Sequence, residues 1–210
     1  MVFITHFWKS LRTEGWRWLW CVLLAGLLSL TVAPAMAGAE LEQLRLERRE
    51  GELLLHAHVH LELGPVVEEA LAKGVAVHFV AEAELMRERW YWTDLKQAHV
   101  VRHYRLAFQP LTRQWRLQVA AEPIAAAGSG SSIAQNFDSL QSALELIGRQ
   151  SGWKLADADV LDSDSRQYLI YRLRLDRTQL PRLLQIGTQN PGDWGLSLVR
   201  QQRLGADVRP

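Results

Sequence analysis

The chain has 210 residues, of which 48% are apolar, 22% are charged and 14 are glycine. This composition excludes a disordered or collagen-like chain and at this length points to one domain. The 24 basic residues stand against 23 acidic ones, which gives no electrostatic case for a nucleic-acid partner, and the lone Cys21 can form neither an intrachain disulfide nor a thiolate metal site.

Lys9, Arg12 and Arg17 precede an uncharged run from Trp18 to Ala39, nearly all apolar between Val22 and Val32. The run closes with Pro34-Ala35-Met36-Ala37. Small residues at Ala35 and Ala37 match an export signal cut after Ala37. The alternative is an uncleaved anchor, because the run is long enough to cross about 30 Å of hydrocarbon as a helix. Either way the positive flank stays in the cytoplasm. The body is then expected in the periplasm, or anchored in the inner membrane facing it, with residues 18–39 touching the membrane if uncleaved. The expected division is residues 1–37 as signal peptide or anchor and 38–210 as a single β-rich extracytoplasmic domain. Cleavage would leave 21 basic and 22 acidic residues and no cysteine, so the domain must fold on packing alone.

Residues 52–63 alternate cleanly apart from Leu54. Leu53, Leu55, Ala57, Val59, Leu61 and Leu63 share one face, and Glu52, His56, His58, His60 and Glu62 the other. Period two with one apolar face predicts a half-buried strand of an antiparallel sheet. Leu41 to Glu47 is expected to pair with it across Arg48-Arg49-Glu50-Gly51. Pro65 opens a short helix that Lys73 and Gly74 close. Strands are predicted over Val75 to Leu85, Gln97 to Phe108 and Thr112 to Val119. Ala120 to Asn136, centred on an Ala/Gly/Ser stretch, reads as a flexible loop. A second helix begins at Asp138, with Gln141 completing a capping box and Gly148 supplying the stop. Gln167 to Asp176 and Trp194 to Leu204 complete the strands. The predicted class is β-rich α+β, a curved antiparallel sheet or sandwich with two short helices after the N-terminal segment.

Four features could carry chemistry. In His56-Ala57-His58-Val59-His60, alternate imidazoles lie about 6.6 Å apart on one strand face, so His56 and His58 could share a zinc or copper ion. Such a site needs a further ligand from another strand, such as His78, His99, His103 or Glu82. Asp157, Asp159, Asp162 and Asp164 fail the EF-hand spacing and read as an acidic turn. Glu82 and Glu84 share a strand face with Asp94 nearby in sequence, a conceivable carboxylate pair. No nucleophile elbow, phosphate-binding loop or metalloprotease helix is present, and no cofactor is expected. The densest run is Arg87-Glu88-Arg89-Trp90-Tyr91-Trp92-Thr93-Asp94. It reads either as a contact surface or as buried aromatics with Arg89 paired to Asp94.

Arg89-Trp90-Tyr91-Trp92-Thr93-Asp94 resembles the R-W-Y-W-x-D signature of an uncharacterised bacterial family, domain of unknown function 4390. The likeness extends to Ala70 to Val75, Tyr104-Arg105-Leu106, Leu111 to Arg116, Phe137 to Leu140, and Leu173 to Asp176 with Gln179-Leu180-Pro181. Val199 stands where a second tryptophan is expected, and the histidine triplet lies outside the pattern. The resemblance implies an exported or membrane-anchored protein and supplies no activity. Members of the family often occur beside a membrane sensor kinase, which suggests an envelope partner of that kind. Arg89, Trp90, Tyr91, Trp92, Asp94, Arg174 and Asp176 are the expected binding residues, and the two segments that hold them are expected to form one region. The expected function is a non-catalytic binding or accessory module of the envelope. The alternative is a metal-binding or hydrolytic protein using the His56, His58 and His60 face.

Overall fold

A computed structural model describes residues 38–91, 93–124, 132–161, 166–180 and 194–204, all within one compact unit, Met36–Pro210. The export or anchor segment expected over residues 1–37 lies outside the described residues. Gly38 and Ala39, the last two residues of the uncharged run, already belong to a strand. Among the described residues no helix is long and apolar enough to cross a membrane.

Two antiparallel sheets pack face to face. Strand β1 (Gly38–Arg49) and β2 (Glu52–Glu62) form a hairpin, and β2 also pairs with β7 (Arg149–Asp157). The second sheet holds β3 (Val77–Arg87), β4 (Leu95–Gln109), β5 (Gln114–Ala120), β6 (Ser132–Phe137), β8 (Gln167–Leu175) and β9 (Ser197–Arg203). Its order is β6-β5-β4-β3-β8-β9. Helix α1 (Pro65–Ala72) follows β2, and α2 (Leu140–Gly148) packs on β2 and reaches β5, β6 and β7. The β-rich α+β class therefore holds, in its sandwich form.

The alternation of β2 does what period two requires. Leu53, Leu55, Ala57, Val59 and Leu61 are buried, in one cluster with Phe79, Ala81, Ala83 and Leu85 of β3 and Leu169, Tyr171 and Leu173 of β8. The β1–β2 turn is the two-residue type I′ form, with Glu50 at φ 54° and Gly51 at φ 81°. Helix α1 ends in a Schellman cap: Gly74, at φ 83°, donates its N–H to the Leu71 carbonyl, and Val75 donates to that of Ala70.

Three expectations need correction. Ser132–Phe137 is a strand, not part of a loop, and Arg149–Asp157 is a strand that was not expected. The cap of α2 is Ser139, whose Oγ accepts from the Ser142 N–H at 3.1 Å, so the proposed Asp138–Gln141 box is displaced by one residue. Gly148 is the last residue of α2 and does not adopt positive φ, as Gly51, Gly74 and Gly152 do. Its hydrogen serves a close approach: a Cβ there would lie 2.0 Å from the Val59 carbonyl oxygen.

Candidate functional site

The Arg89–Asp94 segment forms the turn between β3 and β4. Its two described aromatics are not core residues. Trp90 is 91% and Tyr91 69% exposed. Their rings meet edge to face with centroids 4.4 Å apart, an arrangement favoured by the aromatic quadrupole. Asp94 holds the turn: one oxygen accepts from the Arg89 backbone N–H at 3.3 Å and the other from the Tyr168 hydroxyl of β8 at 2.6 Å. That hydroxyl bond, with burial, pushes the Tyr168 phenol up to about 12. The buried-aromatic reading of Trp90 is thus corrected, and the Arg89 group bonded to Asp94 is its main chain. Trp92 lies outside the described residues.

Arg174 and Asp176 sit at the opposite end of the sheet. Phe79 pairs with Leu175 and Arg87 with Gln167, so the length of β3, about 30 Å, separates them from the Trp90 turn. The single region expected from the two segments does not form, because antiparallel pairing sends the C-terminal end of β8 to the start of β3. Arg174 pairs with Glu82 at 2.9 Å. The Asp176 carboxylate accepts from the Thr178 N–H and hydroxyl at 3.1 and 2.6 Å, capping the short 3-10 turn Arg177–Gln179. Its N–H donates to the His78 carbonyl. Pro181 lies outside the described residues.

The outer face of the large sheet carries a line of charge. Glu84 is only 7% exposed. It is bonded to Lys96 and to Arg172, each at 2.5 Å. Those bonds, Lys96 foremost, hold its carboxyl below the usual range against the opposing effect of burial. A general acid needs the reverse shift, and Glu82 is tied to Arg174 by the 2.9 Å ion pair. The acids of this face are therefore arranged as cross-strand ties between β3, β4 and β8.

The His56, His58 and His60 face points away from that sheet. His58 Nδ1 lies 3.0 Å from Glu42, His56 Nε2 3.7 Å from Glu47, and His60 Nε2 3.5 Å from Glu62. Each imidazole thus has its own acid. His78, His99, His103 and Glu82 lie on β3 and β4, across the sandwich, and cannot complete a site with His56 and His58. Among the described residues no three His, Cys, Asp or Glu side chains gather closely enough to hold one ion. Of the acidic turn, Asp157 pairs with Lys154 at 2.8 Å, and Asp162 and Asp164 lie outside the described residues.

Where β5 and β6 extend beyond the small sheet, the sandwich stays open as a groove of about 480 Å³. Its walls include Arg102, Tyr104, Ile133, Leu146, Arg149 and Trp153. The Arg102 guanidinium lies 4.6 Å from the centre of the Trp153 ring, within cation–π range. Ile133 is 77% exposed. The sequence hid this groove because β6 and β7 themselves were not legible; an isolated Trp153 among polar residues was its one trace.

No curated protein and no solved structure matches the chain. The family profile of Domain of unknown function (DUF4390) matches residues 36–203, spanning both sheets and the Arg89–Asp94 turn. The chain belongs to the DUF4390 family.

Proposed function

We propose that this chain is an exported envelope protein that serves as a non-catalytic binding or accessory module, periplasmic or anchored in the inner membrane facing the periplasm. Its partner is an envelope protein such as a membrane sensor kinase. The observation that carries the reading is the exposed Trp90–Tyr91 pair on a turn fixed by Asp94. Large aromatics dominate contact energy at protein interfaces, and a turn already held in place loses little entropy on docking. Export is supported by Lys9, Arg12 and Arg17 ahead of the Trp18–Ala39 run, and the sensor kinase by the neighbourhood in which relatives occur.

The test is photocrosslinking in cells. Benzoylphenylalanine replaces Trp90, and separately Leu111, which is fully exposed on the turn at the other end of β4. The expected result is a discrete adduct with one envelope protein from position 90 and none from position 111. Matching adduct patterns from both positions, or none from position 90, would refute the reading.

A further inference from the structure

The edges of the large sheet differ in a way that bears on binding. β9, at one edge, carries Arg200 and Arg203, and charge on an edge strand discourages further pairing. β6, at the other edge, reads Ser-Ile-Ala-Gln-Asn-Phe, with no charge and no proline, and pairs with β5 in unbroken register. It therefore lacks the charge, proline and bulge that discourage further pairing at an edge. Among the described residues no strand pairs with its outer side. Beside it lies the groove, floored by apolar groups and flanked by Ile133 of β6 and Leu146 of α2. The only charged side chains in its lining are Arg102 and Arg149, and neither forms an ion pair with an acid among the described residues.

We infer that β6 and this groove take up an extended acidic peptide segment of a partner protein, which adds as a seventh strand. Three features converge on that occupant. The outward N–H and C=O groups of β6 supply a ladder that only a peptide backbone can fill. The apolar groove takes the side chains that alternate to the inner face of the added strand. Arg102 and Arg149 pair with a carboxylate on that segment, as charge complementarity requires. β6 has six residues, so the segment needs about six residues in extended form. The inference concerns a different end of the sheet from the Trp90 turn and stands or falls separately from it.

The test selects phage-displayed random nonapeptides on the full chain, purified as the cell processes it. The expected winners alternate apolar residues and carry Asp or Glu. Fluorescence anisotropy of a synthetic winner should weaken at least about tenfold with Arg149→Glu, at the exposed start of β7, and with Arg102→Glu. Successive N–H groups of an antiparallel strand point alternately to its two sides. One of Ala134→Pro and Gln135→Pro therefore removes an outward donor while the β5 ladder stays whole. That variant should keep its melting temperature and lose peptide binding, and amide exchange at β6 should slow when peptide binds the unaltered chain. Winners without alternation, or binding that survives the charge reversals and the fold-preserving proline, would overturn the inference. So would saturable binding of dodecanoate with no peptide enriched, which assigns the groove to an anionic amphiphile.

Discussion

Gly148→Ala puts two effects of opposite sign at one position. Near a helix end, replacing glycine by alanine favours the helix by up to about 1 kcal/mol. Against that, the new Cβ would lie 2.0 Å from the Val59 carbonyl oxygen, well short of the roughly 3.5 Å of an ordinary non-bonded contact. The struck atom is backbone in β2, the middle strand of its sheet, paired with β1 and β7. No side-chain rotation can relieve it. Either α2 moves off β2 by about 1.5 Å or the β2 ladder bends, and α2 is the helix that buries Ala143, Leu144 and Ile147. Overpacking of this kind costs about 1–3 kcal/mol, and a backbone collision belongs at the upper end. The net loss should be about 2–3 kcal/mol, or a fall in melting temperature of roughly 4–12 °C for a domain of this size. Urea unfolding with matched m-values is the assay. A variant as stable as the parent, or more stable, would refute the close-approach account and return Gly148 to the role of a simple helix stop.

Three further outcomes follow from the structure and a fourth from the N-terminal sequence. Glu84→Gln removes the acid shared by Lys96 and Arg172 and should lower stability by about 1–2 kcal/mol in urea melts. That is less than the loss of a fully buried partner, because Lys96 is half exposed. Burial, aided by Arg105 at His78 and opposed by Asp176, holds the His78 and His103 imidazoles below their ordinary 6.5. The unfolded chain then takes up protons first. Stability should be complete above about pH 6.5 and fall as the pH drops towards the folded values, with a shallower slope in a His78→Gln, His103→Gln double variant. The Glu84 contribution should be lost lower, as the pH falls from 4.5 through its depressed folded value. An alkaline phosphatase fusion after residue 60 should be active, and mass spectrometry of the mature N-terminus should separate cleavage after Ala37 from anchoring; activity only with a cytoplasmic reporter would sink the export proposal.

What the sequence made legible was decided by whether each strand kept one unbroken period. β2 and β3 keep an apolar residue at every second position because each buries one face against the opposite sheet. β7 does not: its buried residues are Gln150, Trp153 and Leu155, and Gly152 at φ 60° with register shifts against β2 inserts a step of three into a period of two. β6 leaves no periodic signal because an edge strand beside an open groove needs no apolar alternation. Gly148 was legible as a helix terminator, but its close contact depends on where β2 passes, and no local pattern encodes that. The same limit governs the candidate site. The aromatic run around Trp90 was conspicuous, whereas its exposure follows from the point at which β3 leaves the sheet, set by pairing with β8 about 80 residues later. The separation of Asp176 from Asp94 follows from that register too.

The most direct test of the binding-module proposal uses the partner recovered by crosslinking from position 90. Its extracytoplasmic part is titrated calorimetrically against the parent protein and a Trp90→Ala, Tyr91→Ala double variant. Both side chains are exposed, so the variant should melt within about 1 °C of the parent. At about 2 kcal/mol or more for each aromatic anchor, its affinity should fall at least a hundredfold. An unchanged affinity at unchanged stability would contradict the proposal that this turn is the contact.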